Sequence, residues 1–197
     1  MATKRPINHT GLLLPTISPE HLQHLLLASK AISSTLDLQE TLRLVIQVTA
    51  ELTASKVASI LLLTPDKETL NFVATSDSQS LVGVSVPVGN SVAGWVVTHN
   101  QPQILDNVEQ DQRHYAEIKN TIGWVPESML AVPLRHKGEV IGALEAINKK
   151  DGTIYNQYDL ALAQALASQA AVAIANARPS TKPTQLLKWS TNSKRHS

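Results

Sequence analysis

Two apolar runs, residues 129–134 and 140–147, flank the polar stretch Arg135-His136-Lys137-Gly138-Glu139, and no other feature limits the fold so tightly. The connector places a glycine where a hairpin reversal needs one, so the runs are expected as adjacent antiparallel strands. Two more strands precede them. Residues 57–63 form a continuous apolar run closed by Pro65-Asp66, and Leu70, Phe72 and Ala74 alternate with polar neighbours, which reads as a second hairpin. Val84, Val86 and Val88 alternate next and stop at Gly89, and Ile104-Leu105 make a short extended piece before Asp106.

Helical signals enclose these strands. Ser18-Pro19 is an N-cap with proline at the first helical position, and Leu22, Leu25, Ser29, Ile32 and Leu36 follow in a heptad-like seam. Asp37 opens a second helix with Glu40 placed as in a capping box, and Leu38, Leu42, Val45, Thr49 and Leu52 mark its buried stripe. Ser91 is placed to cap a short helix over 92–98. Tyr115, Ile118 and Ile122 are at helical spacing within 111–122, with Gly123 after them and a loop holding Trp124 and Pro126. A long helix over 157–177 closes the order. Helices, three strands, a middle region, two or three strands and a last helix suit an α+β domain, an antiparallel sheet with helices packed on it.

Composition narrows the function. Of 197 residues 43% are hydrophobic, enough for one core, so a domain over 18–178 is expected between a flexible tail (1–17) and a disordered Ser-, Thr-, Lys- and Pro-rich tail (179–197). Lys+Arg at 17 against Asp+Glu at 16 gives no field for holding nucleic acid. The absence of cysteine removes disulfides, thiolate nucleophiles, Cys-based zinc sites and thioether attachment of a chromophore. Residues 160–177 carry no charge, but Gln164, Ser168, Gln169 and Asn176 interrupt them, which argues against a membrane span. The apolar patch at 12–14 is too brief for a signal peptide, so a cytoplasmic location is expected.

Three linked stretches resemble a GAF domain over residues 20–177. Gly89-Asn90-Ser91-Val92-Ala93-Gly94-Trp95-Val96, followed by Pro102-Gln103-Ile104-Leu105-Asp106, is similar to the family's strand-to-helix turn. Ser128-Met129-Leu130-Ala131-Val132-Pro133-Leu134 and Gly138-Glu139-Val140-Ile141-Gly142-Ala143-Leu144-Glu145 resemble its central strands. Asn148, Lys149, Tyr155 and Asp159 resemble the signature of its nucleotide-binding branch, with tyrosine for the usual phenylalanine and Leu160 for the following glutamate. The resemblance implies a GAF-like, PAS-related sheet of five to six strands, with terminal helices on one face and short helices and loops on the other. It also implies that Lys149 and Asp159 pair as a structural lock. If partly exposed, such a pair contributes about 0 to 1 kcal/mol.

No enzymatic constellation emerges. Gly89 and Gly94 bracket Ser91 one position too long for a nucleophile elbow, and capping is the better role for Ser91. The seven histidines have no metal-ligand spacing. The family's free methionine sulfoxide reductases work through cysteine, which this chain lacks. The resemblance places a small-molecule pocket in the middle region. Ser91 at a helix N-terminus, Trp95, Tyr115, Ile118 and Trp124 against a ring, and Asp106 and Ser128 as hydrogen-bonding groups are its candidates. Trp95 reads equally as core, Trp124 as a loop anchor and Asp106 as a turn cap. Glu145 interrupts an apolar strand, so it needs a partner, water or a pocket; the resemblance equally allows an acid there for structural reasons. The ligand stays unidentified, and a bilin attached through cysteine is excluded.

Apolar or small residues surround the last helix, which leaves a second face to be covered. Leu22, Leu25 and Ile32 of the first helix with Leu162, Leu166, Ala170 and Ala173 of the last are expected to form a homodimer bundle; the alternative is that the first helix folds back within one chain. A free-standing module of this kind, with no kinase, cyclase or helix-turn-helix segment in the sequence, is expected to act through a signalling partner protein. The alternative function is a dimerisation scaffold without ligand.

Overall fold

The computed structural model describes residues 37–77, 81–111, 113 and 126–177. The predicted helix over 18–36 with Leu22, Leu25 and Ile32, most of that over 111–122 with Tyr115 and Ile118, Gly123, Trp124 and both tails lie outside the described residues.

Helix α1 (Leu38–Leu52) starts at Asp37, whose carboxylate accepts the Gln39 N–H at 2.9 Å. Glu40 does not complete a capping box; it turns outward to Arg43 in an exposed pair. Leu42, Val45, Ile46, Thr49 and Leu52 form the buried stripe. Strands β1 (Ser55–Leu63), β2 (Thr69–Thr75) and β3 (Ser85–Pro87) follow; β3 stops short of Val88, which enters a single 3-10 turn, Val88–Asn90.

Ser91 then caps α2 (Val92–His99) by accepting the Gly94 N–H at 3.0 Å, while its own hydroxyl donates to the Pro87 carbonyl at 2.6 Å. Gly94 is required here: a Cβ would collide with the Val88 backbone. Asn100 ends α2 at φ 53, in the left-handed region. The chain continues through β4 (Gln103–Leu105), β5 (Met129–His136), β6 (Glu139–Lys149) and α3 (Gln157–Ala177).

The strands form one antiparallel sheet in the order β3-β2-β1-β6-β5-β4. The β5–β6 turn is tighter than the five-residue connector expected. His136 pairs with Glu139, leaving Lys137 (φ 49) and Gly138 (φ 84) as the turn. Two consecutive positive φ values match the twist of the flanking strands and carry the ladder into the polar stretch.

Each face of the sheet bears an apolar cluster. Ile60, Leu130, Val132, Leu144 and Ala146 meet α1 and α3 on one face. Leu61, Phe72, Met129, Ala131, Ala143 and Ile147 meet Val92, Ala93, Val96 and Val97 of α2 on the other. Although α3 has the length and composition to cross a bilayer, eight of its residues are buried within the chain, as a core helix requires.

That packing corrects the expected dimer stripe. Leu162, Leu166 and Ala170 are at most 1% exposed, turned into the core with Leu42 and Ile46 of α1. The bulky side chains go to the sheet because that is where apolar area is removed from water. Ala173 is partly exposed, and Ala165, Ser168 and Val172 stand outward.

Candidate functional site

Glu145 lies in the middle of β6 with Ala143 and Ile147 two residues to either side, so its side chain shares their face, the one that carries α2. Across the ladders Glu145 pairs with Ser59 of β1 and Ala131 of β5; Ser59 in turn pairs with Thr75 of β2, and Ala131 with Gln103 of β4. Directly opposed residues point the same way, so Thr75, Ser59, Glu145, Ala131 and Gln103 form a transverse row. At successive spacings of about 4.8 Å it is polar at every position but Ala131.

Glu145 is 5% exposed. Among the described residues no hydrogen bond or ion pair reaches its carboxyl group, and burial alone pushes its pKa up to about 7. Its neighbour Ser59 donates to Thr75 Oγ1 at 3.3 Å and so directs its proton elsewhere. At the far end of the row Arg113 donates twice to Asp111, at 2.8 and 2.5 Å, and at 3.4 Å to the Gln103 amide oxygen. Its guanidinium lies 5.2 Å from the Trp95 ring centroid, and Trp95 stacks on His99 at 4.2 Å.

The remaining candidates separate. Ser91 is a cap, as above. Ser128 is buried and its hydroxyl accepts the Lys149 N–H at 3.4 Å, within the β5–β6 junction. Asp106 is exposed and lines an open hollow of about 300 Å³ with Asn107, Glu109, Pro126 and Glu127. The described structure therefore brings Glu145 and Trp95 to the α2 face but leaves Asp106 and Ser128 elsewhere. Ser59, Thr75, Gln103 and Arg113 escaped sequence reasoning. Ser59 gave a signal, as a polar residue in an apolar run, but its alignment with Glu145 depends on strand register.

The structural signature is a set of clamps. Asn148, at φ 57, accepts the Glu127 and Ser128 N–H groups at 2.7 and 3.2 Å. Lys149 meets Asp159 at 3.0 Å with side-chain exposures of 10% and 5%, so this pair is buried rather than partly exposed. Asp159 also accepts the Asn156 N–H at 2.9 Å, and Asn156 accepts the Asp159 N–H, a capping box at the start of α3. Tyr155 is buried; its hydroxyl bonds Ser55 at 2.8 Å, and Ser55 bonds Thr53 at 2.6 Å. Burial raises the Tyr155 pKa, so the phenol stays neutral.

A six-stranded antiparallel sheet with long helices on one face and a short capped helix on the other defines an α+β class of fold. The GAF domain family model matches residues 35–175, and the chain belongs to that family. Among relatives, the dual 3',5'-cyclic-AMP and -GMP phosphodiesterase 11A of Takifugu rubripes is 32% identical over 97 residues, 48% of this chain and 11% of that protein. The chain thus spans about a tenth or less of the length of the curated relatives it matches. The GAF domain of an Acinetobacter phosphoenolpyruvate-protein phosphotransferase superposes with TM-score 0.70 at 22% identity, covering 82% of this chain and 96% of that one. A far-red absorbing dark state with bound biliverdin superposes at 0.63 and 18% identity, covering 79% and 99%.

Proposed function

We propose that the chain is a non-enzymatic sensory or regulatory module that binds a small ligand over the α2-bearing face of its sheet and signals, as a homodimer, through its terminal helices to a partner protein. The observation that carries the reading is Glu145, a carboxyl group in the middle of a sheet with no partner on the described elements. Burying such a group costs several kcal/mol unless water, a donor or a ligand reaches it. The outward residues of α3, Ala165, Ser168 and Val172, support pairing because they are small or apolar and leave a low, uncharged surface. A cytoplasmic location fits this reading.

The scaffold alternative has its own support in the apolar cluster of Leu61, Phe72, Met129, Val96 and Val97, which fills much of the same face with the chain's own side chains. Native mass spectrometry of the purified protein, followed by thermal shifts against cyclic nucleotides, tetrapyrroles, amino acids and nucleobases, separates the two. A dimer whose melting temperature rises with one of these classes supports the sensor. A dimer that none of them stabilises supports the scaffold, and a monomer at micromolar concentration refutes pairing in both.

A further inference from the structure

We propose that the ligand of the α2-bearing face carries a positively charged nitrogen, as an ammonium, amidinium or guanidinium group, and that Glu145 receives it. The inference rests on the reading of that face as a ligand site and adds the charge of what binds there.

The geometry around Glu145 sets the requirement. Its cross-strand neighbours are Ser59 and Ala131, and its along-strand neighbours on the face are Ala143 and Ile147. Three of the four are small, and those three are fully buried. Ser59 has no proton to give it, since that proton goes to Thr75. The buried residues of α2, which packs against β6, are Val92, Ala93, Gly94, Val96 and Val97, none titratable. The charged groups placed along the row are Arg113 and Asp111, and Arg113 is engaged by the Asp111 carboxylate and by Gln103. No described element therefore supplies a countercharge.

A buried carboxylate gains most from a ligand that brings both a hydrogen-bond donor and the missing charge. A neutral amide brings only the donor. An anion meets repulsion in a medium of low dielectric. Because burial holds the carboxyl group at a pKa of about 7, the cation must first draw it into the ionised form. Affinity for a permanently charged ligand then rises with pH, about tenfold per unit below 7, and levels off above it.

The test uses three compounds of nearly one shape, benzamidine (cation), benzamide (neutral) and benzoate (anion), measured by calorimetry on the full chain and on Glu145→Gln. The expected order is benzamidine first, with at least a tenfold loss in Glu145→Gln and an affinity about a hundredfold weaker at pH 5 than at pH 8. Equal or tighter binding of benzamide or benzoate, an unchanged affinity in Glu145→Gln, or a flat pH profile overturns the proposal. If Glu145→Gln fails to fold, the pH profile of the unaltered protein decides. A neutral or anionic compound that binds this face overturns the charge assignment while leaving the sensor reading in place. If none of the three binds, the charge assignment is again overturned, and the sensor reading then falls only if the wider set of ligand classes also fails.

Discussion

Replacing Lys149 with methionine keeps the aliphatic stem and removes the ammonium that meets Asp159 at 3.0 Å. With side-chain exposures of 10% and 5%, neither partner is restored by water when the other is lost. Breaking a buried pair by removing one member costs about 3–5 kcal/mol, whereas an exposed pair contributes about 0–1. Asp159 keeps the Asn156 N–H at 2.9 Å, which offsets part of the loss and places the expectation near the lower end, at about 3 kcal/mol. With a urea m-value of about 1.5 kcal/mol/M, the unfolding midpoint falls by about 2 M. Adding Asp159→Asn removes the stranded charge and should recover part of the loss, so the double-mutant cycle shows a coupling of at least about 1 kcal/mol. Urea titration followed by circular dichroism measures all four proteins. A midpoint shift under about 0.5 M for Lys149→Met would contradict the buried-lock argument, since that is what a solvated pair produces.

Three further perturbations follow from the same geometry. Tyr155→Phe removes the hydroxyl that bonds Ser55 while leaving the ring in place, and should cost about 1 kcal/mol by urea titration; no loss would show that the Thr53–Ser55–Tyr155 chain is energetically idle. Gly94→Ala drives a methyl group into the Val88 carbonyl and should lower stability by about 1–3 kcal/mol, with an unchanged melting temperature as the contrary result. Glu145 has a folded-state pKa raised from 4.5 to about 7, so between those values the unfolded chain holds fewer protons than the native one. Its contribution to stability is therefore present at low pH and lost as pH rises from about 4.5 to 7, by on the order of 3 kcal/mol. Glu145→Gln should flatten that part of the stability–pH curve, and a curve of unaltered slope would remove Glu145 as its cause.

The hairpin of β5 and β6, the capped start of α2 and the span of α3 were legible because each has a local signal: apolar runs about a glycine, a serine three residues before Gly94, and a charge-free stretch of fixed length. The signature pair Lys149 and Asp159 was legible by resemblance, but its burial was not. Exposure is decided by what packs over a site, and nothing in the spacing records that. Three residues of the expected dimer stripe go to the core for a related reason. On an alanine-rich helix both sides look apolar, and only the sheet and α1 determine that Leu162, Leu166 and Ala170 turn inward. Glu145 stood out in sequence as an acid among apolar residues. Its row with Ser59, Thr75 and Gln103 did not, because these residues come from four strands and are aligned by register alone. Tyr155 and Leu160, the two departures from the family's nucleotide-binding signature, both belong to the cluster on the α1 and α3 face. They leave the face of Glu145 untouched.

The proposed ligand site depends on Glu145 being buried without a partner, and its carboxyl titration followed by carbon-13 NMR in the ligand-free protein tests this directly. A midpoint near 7 is the predicted result. A midpoint at or below 4.5 would show that water or a donor already satisfies the group, and would contradict the assignment of this face as the site awaiting a ligand.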